Sequence, residues 1–212
     1  LRKVAPDQAD TVPVADAASR AQKLVVIGAS TGGIEALSKV LSGYSVLCPP
    51  TVIVQHIKAD FLAGVVTRVD AVCPAQVREA AHGDVLSPGR VVIAPGNLQH
   101  LVVSNRGKRV ELRDGAPVSG HRPSVDSLFD SAAALGPKAV GVLLTGMGRD
   151  GATGLGAMRR SGAWTIAQDA ESSTVYGMPR VARDEGAVCE VVPLQRMAKA
   201  ILTAARPVEV TP

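Results

Sequence analysis

Four short runs of almost wholly apolar, largely β-branched residues constrain this chain most: LVVIG (24–28), TVIVQ (51–55), VGVLLTG (140–146) and WTIAQ (164–168). A strand with one wet face alternates polar and apolar residues, whereas one buried on both faces does not. Between these runs lie segments with helical spacing, IEALSKVL (34–41) and FLAGVVTRVDAV (61–72). Continuous apolar strands alternating with helices predict an α/β fold, a mostly parallel, doubly wound sheet covered on both faces. One stretch departs from the pattern. RVVIAP, HLVVS and KRVELR crowd into residues 90–113, with Asn105-Arg106-Gly107 before the last run, and predict an antiparallel hairpin appended to the sheet.

At 212 residues the chain is long enough for one large core. With 46% apolar and 20% charged residues it falls in the globular range. Aromatic residues make up only 2%, so the core must be aliphatic and a base-stacking platform is not expected. The net charge of +4 is spread out and does not identify a nucleic-acid binder. Arg106, Lys108, Arg109 and Arg113 gather on the hairpin and read as a solvated face. Three cysteines, Cys48, Cys73 and Cys189, are odd in number and far apart, which suits a reducing cytoplasm better than a disulfide framework. No apolar run approaches the length of a membrane span. Residues 1–23, rich in Ala, Asp and Pro, read as a tail or interdomain linker; the domain is expected over 24–205, and 206–212 as a C-terminal tail.

In open α/β sheets ligands bind beyond the carboxyl ends of the strands. The first strand there runs into Ser30, the second into His56, and the strand at 140–146 into Asp150. A serine hydroxyl needs an imidazole to take its proton, and the imidazole needs a carboxylate to fix its tautomer. Gly28 and Gly32 flank Ser30 as G-x-S-x-G, a pattern suited to a sharp strand-to-helix turn. That turn also puts free N–H groups near Ser30, where an oxyanion could be held. Each residue alone has a plainer reading: Ser30 as a helix cap, His56 as a satisfied buried side chain, Asp150 as the cap of the helix after it. Their joint placement at one sheet edge favours a Ser-His-Asp site. His82, His100 and His121 lack metal-ligand spacing and read as surface or loop residues. Asp126, in the first turn of a helix after Pro123, reads as structural.

A competing reading uses Gly146-Met147-Gly148-Arg149-Asp150-Gly151, which matches G-x-G-x-x-G, with Asp169 standing 18 residues after Gly151 as the ribose acid of a dinucleotide site. Against it, Asp150 would put negative charge where a pyrophosphate must sit.

Taken together, VVIGASTGG (25–33), VIVQHI (52–57), VVIAPGNLQHL (91–101), HRPSVDSLF (121–129), LLTGMGRDGATGL (143–155) and WTIAQDAESSTVYGMPR (164–180) resemble the catalytic domain of the chemotaxis receptor methylesterases, the CheB family. The resemblance runs from residue 24 to about 192 and keeps the family order. It implies a three-layer α/β/α fold and hydrolysis of glutamyl methyl esters on chemoreceptor cytoplasmic helices, with methanol released and no metal or organic cofactor. Deamidation of receptor glutamines is a further activity it implies. Ser30 matches the family's nucleophile, His56 its base and Asp150 its acid, with the backbone at Met147 and Thr31 matching the oxyanion hole. Lys58-Ala59-Asp60 before Phe61-Leu62 departs from the family's usual Met-Pro and Phe-Thr, which sets the docking segment apart. The resemblance further implies an upstream receiver domain as a regulatory partner. A catalytically silent receptor-binding scaffold would have no need of all three triad residues.

Overall fold

A computed structural model of the chain describes residues 22–96 and 99–207. The expected tail at 1–23 therefore lies outside the described residues except for Gln22 and Lys23, and the tail at 206–212 except for Arg206 and Pro207.

The four apolar runs become β1 (Leu24–Ala29), β2 (Thr51–Gln55), β7 (Ala139–Leu143) and β8 (Trp164–Gln168). Three shorter strands complete the sheet: β3 (Gln76–Glu79), β4 (Arg90–Ile93) and β9 (Glu190–Val192). All seven run parallel, in the order β3-β4-β2-β1-β7-β8-β9. Within β1, Val25 and Ile27 face one layer while Leu24 and Val26 face the other. That two-sided burial is why the run is apolar without alternation.

One layer holds α1 (Gly33–Leu41), α2 (Ala59–Asp70) and α6 (Leu194–Ala204), which bury Leu37, Val40, Leu41, Val65, Val69, Met197 and Ile201 against the sheet. The opposite layer holds α3 (Val125–Ala133), α4 (Ala152–Arg160) and α5 (Met178–Asp184), with Leu128, Phe129, Leu155 and Met158 at its centre. No described helix is long and apolar enough to cross a membrane.

The crowded runs at 90–113 divide. RVVI joins the main sheet as β4, parallel to both β2 and β3. Only β5 (His100–Ser104) and β6 (Arg109–Arg113) form the antiparallel hairpin, and it is a separate two-stranded sheet whose Leu101, Val103 and Val110 pack into the α3 layer. The distinction follows from burial. RVVI is apolar throughout, as a covered parallel strand requires, whereas RVELR alternates. The basic residues of the hairpin, Arg106, Lys108, Arg109 and Arg113, are exposed as expected.

The topology sets the functional edge. β1 lies between β2 and β7, so the chain turns one way across the sheet after β1 and the other way later. Such a switch point opens a crevice beyond the carboxyl ends of the strands. Ser30, His56 and Asp150 follow β1, β2 and β7, the three adjacent strands at that crevice.

Candidate active site

Ser30 leaves β1 directly opposite His56, because the parallel register pairs Ala29 with Gln55 and the His56 N–H donates to the Ala29 carbonyl at 3.0 Å. Ser30 itself stays in line with the sheet by donating its N–H to the Thr145 carbonyl at 3.0 Å. Both glycines of G-x-S-x-G are then required for stated reasons. Gly32 caps α1 in the left-handed region, at φ 80°, and a Cβ there would strike the Thr174 side chain. Gly28 lies so close to the Val125 side chain that no Cβ fits between them.

Gln55 is a residue that sequence reasoning missed. Its side chain is buried, and its Nε2 donates to the carbonyls of both Ser30 (2.9 Å) and His56 (3.0 Å), bridging the two loops. A polar residue ending a fully apolar strand was the signal available for it.

The imidazole of His56 is 10% exposed and the Asp150 carboxylate is fully buried. His56 Nε2–H donates to Asp150 Oδ2 at 2.8 Å. A carboxylate can only accept, so the proton of the neutral ring belongs on Nε2 and the lone pair on Nδ1. Nδ1 is buried and has no hydrogen-bond partner among the described residues. A ring nitrogen with a free lone pair is thus left on the residue that ends β2, next to the strand that ends in Ser30.

Asp150 does not cap the helix that follows it; it caps α3, a helix it reaches only through the fold. Oδ1 accepts from the Ser124 hydroxyl (2.8 Å) and the Asp126 N–H (2.9 Å), and Oδ2 accepts from the Val125 N–H (2.8 Å) as well as from His56. Four donors occupy the roughly four acceptor sites of a carboxylate. Burial pushes the Asp150 carboxyl up, yet the His56 hydrogen bond, the two backbone N–H groups and Ser124 together hold it below the usual carboxylate range. It therefore stays ionised while buried.

Asp126 returns the arrangement. From the first turn of α3 its carboxylate accepts the Gly154 N–H at 2.8 Å, in the first turn of α4, and the Ser119 hydroxyl at 2.6 Å. Each helix start is capped by an acid attached to the other. Burial dominates at Asp126 and raises its pKa, with Asp150 adding to the rise and Ser119 and Gly154 opposing it. The structural reading of Asp126 holds, in a wider role than a dipole pairing.

One histidine needs correction, and a second keeps its loop position but gains a contact. His100 is buried, not a surface residue: its Nδ1 accepts the Ser124 N–H at 3.3 Å and its Nε2 donates to the Ala116 carbonyl at 3.0 Å, which steadies the serine that serves Asp150. His121 lies face to face with His56, ring centroids 3.8 Å apart and planes 11° from parallel. Burial, then the neighbouring His56, lowers the His121 pKa. His82 is exposed, as expected. None of these placements has a short-range spacing in the sequence, because each contact joins separate segments of the chain.

Met147 and Thr31 flank the crevice. The Met147 loop is fixed on both sides. Gly146 donates to the Val175 carbonyl at 3.0 Å and accepts from Gly177 and Met178, at 3.1 and 2.9 Å. Across the crevice the Thr145 hydroxyl donates to the Thr31 carbonyl at 2.9 Å. Among the described residues the N–H groups of Thr31 and Met147 donate to no carbonyl or side chain, and Met147 is 71% exposed. Two free N–H groups beside a serine are what an oxyanion requires.

The residues a dinucleotide would need are engaged elsewhere. Asp150 faces α3, and Asp169 accepts the hydroxyl and N–H of Ser172 at 2.5 and 3.0 Å within its own loop. Among the described residues no three His, Cys, Asp or Glu side chains gather as metal ligands would.

This geometry can be set beside known proteins. The family model for CheB methylesterase matches residues 25–201. The chain belongs to the CheB methylesterase family. It is 55% identical over 181 residues to a Caulobacter vibrioides protein named protein-glutamate methylesterase/protein-glutamine glutaminase 1, covering 84% of this chain and 53% of that one. A Bordetella avium protein named protein-glutamate methylesterase/protein-glutamine glutaminase 2 is 49% identical over 207 residues, covering 95% of this chain and 59% of that one. The chain thus spans a little over half the length of these relatives. The crystal structure of the Thermotoga maritima CheB methylesterase catalytic domain superposes with a TM-score of 0.80 at 35% identity, over 85% of this chain and 97% of that one. A CheB catalytic domain thus shares the three-layer α/β/α architecture.

The Asp150 pocket has a consequence for acid stability. A carboxyl held below its ordinary value of about 4 stabilises the fold fully above that value. The contribution is lost as pH falls through the lower folded-state value. Asp126, with a raised pKa, acts in the opposite sense and gains stability as it protonates. Urea midpoints measured at pH 7 and pH 3 for the native chain and Asp150→Asn should therefore differ more at pH 7 than at pH 3. A gap that stays constant between the two would mean that the Asp150 carboxylate is not stabilised by its four donors.

Proposed function

We propose that this domain hydrolyses glutamyl methyl esters on chemoreceptor cytoplasmic helices through a Ser30-His56-Asp150 triad. The observation that carries the reading is the His56 ring itself: Nε2–H is committed to a buried, ionised Asp150, while Nδ1 has no partner among the described residues, on the residue that follows β2 just as Ser30 follows the adjacent β1.

Ser30 Oγ attacks the ester carbonyl carbon, and its proton passes to His56 Nδ1. Asp150 stabilises the resulting imidazolium without taking a proton from it. The carbonyl oxygen gains negative charge and meets the N–H groups of Met147 and Thr31. Collapse of the tetrahedral intermediate breaks the bond to the methoxy oxygen, which leaves as methanol with the proton from His56. Water then adds to the glutamyl-Ser30 ester by the same route, and free glutamate and Ser30 are regenerated. A glutamine side chain entering the same sequence would release ammonia, which accords with the double name of the relatives.

The test is methanol release from a methyl-esterified receptor helix mixed with the purified chain. One methanol per new glutamate carboxylate is expected. No release from the native chain on several receptor helices would overturn the reading.

A further inference from the structure

The stacked pair His56 and His121 lies outside the serine mechanism as described, and yet it is the closest aromatic contact the imidazole makes. We propose that His121 is a positioning residue for the esterase: its ring holds the His56 imidazole in the one plane that keeps Nε2 on Asp150 and leaves Nδ1 to serve Ser30. This rests on the serine-esterase reading above.

One hydrogen bond from Nε2 fixes an edge of the imidazole but leaves the ring able to pivot about that edge. A flat neighbour against its face removes the pivot. The neighbour is itself held firmly. His121 and Val118 exchange backbone hydrogen bonds of 2.9 and 3.0 Å across a tight turn. Both central residues of that turn, Ser119 at φ 51° and Gly120 at φ 81°, have positive φ, as a type I′ turn requires. The Ser119 hydroxyl then donates to Asp126, whose own N–H donates to Asp150. The restraint on the ring face and the restraint on the ring edge are therefore anchored to the same helix start. A closed circuit runs His56, Asp150, Asp126, Ser119, the turn, His121 and back to His56. A neutral ring stacked on His56 also presents a π face to the imidazolium formed in turnover, a favourable contact that a second cation there would reverse.

Three substitutions separate shape from chemistry. His121→Ala removes the flat face, His121→Leu fills the space without one, and His121→Phe keeps a flat face that cannot titrate. Ala and Leu should each lower kcat about 10- to 100-fold with KM within about twofold, since a small misplacement of a reacting group costs on that scale. Phe should return kcat to within about threefold of native, because it restores the stack. Nitrogen-15 NMR of the His56 ring supplies a readout that needs no substrate. Ring-nitrogen relaxation should report one rigid His56 orientation in the native chain and His121→Phe, and added motion about the Nε2 edge in His121→Leu, with the proton on Nε2 in all three.

Native kcat in Leu, or a Phe variant as slow as Leu, would overturn the proposal. If His121→Ala does not fold, the Leu and Phe pair decides the matter alone. A native chain that neither hydrolyses the ester nor reacts at Ser30 with a fluorophosphonate would instead sink the esterase reading. The ring spectrum would then still decide whether the stack orders His56.

Discussion

Ser30→Ala is expected to lower methanol release by about three to six orders of magnitude in kcat, with KM for the receptor helix nearly unchanged. The residue lies at the crevice end of β1 and its N–H, not its hydroxyl, does the structural work of keeping the strand in register with Thr145. Removing Oγ therefore leaves the backbone, the Met147 and Thr31 N–H groups and the docking surface in place. The residual rate should be the one that these groups sustain over bare water. A hydrolysis rate within tenfold of native, on the order of 1.4 kcal/mol in activation free energy, would assign the nucleophile elsewhere.

Asp150→Asn is the second large effect, and its cause differs. The carboxamide has nearly the same shape, but one of its two terminal atoms becomes a donor. Every group facing Asp150 is itself a donor: His56 Nε2–H, the Ser124 hydroxyl, and the N–H groups of Val125 and Asp126. Ser124 can rotate its hydroxyl, but a backbone N–H cannot turn away. Each oxygen meets one backbone N–H, so the new NH2 must oppose either Val125 N–H together with His56 or Asp126 N–H together with Ser124. Where it meets His56, the ring must accept on Nε2 and carry its proton on Nδ1, which is the tautomer unable to take a proton from Ser30. A loss of about 10⁴ in kcat is expected. Nitrogen-15 spectra of the variant should report the proton moved to Nδ1. A variant with kcat within tenfold of native would show that the carboxylate acts only as a helix cap.

How far the site was legible depends on the range of the signals. Ser30, His56 and Asp150 could be found because each follows a run apolar enough to mark a strand buried on both faces, and a parallel sheet brings such ends together. That Asp150 also caps α3 was not legible. Its partners begin 24 residues upstream at Asp126, and only tertiary packing of α3 on α4 joins them. The burial of His100 and the stacking of His121 on His56 were hidden for the same reason, since a contact made across a fold leaves no spacing to read. Their blocks, HRPSVDSLF and VVIAPGNLQHL, stood in the sequence as part of a family resemblance rather than as a physical pattern.

The missed strands have another cause. β3 is Gln-Val-Arg-Glu and β9 is Glu-Val-Val, both at the sheet margins. Edge strands are short and charged because long apolar ones would pair with other chains. The same protection hides them from a search for apolar runs. At 90–113 the signal was present and was grouped too broadly: the continuous RVVI belonged with the parallel strands, and only the runs after it with the hairpin.

The central claim is that turnover passes through a glutamyl ester on Ser30. The most direct measurement is an acid quench during steady-state hydrolysis of a methyl-esterified receptor peptide, followed by mass mapping of the protein. An adduct of the peptide mass less methanol on the fragment carrying Ser30, absent from Ser30→Ala, is the expected result. Methanol released at the native rate with no adduct, in a reaction that Ser30→Ala still performs, would contradict it.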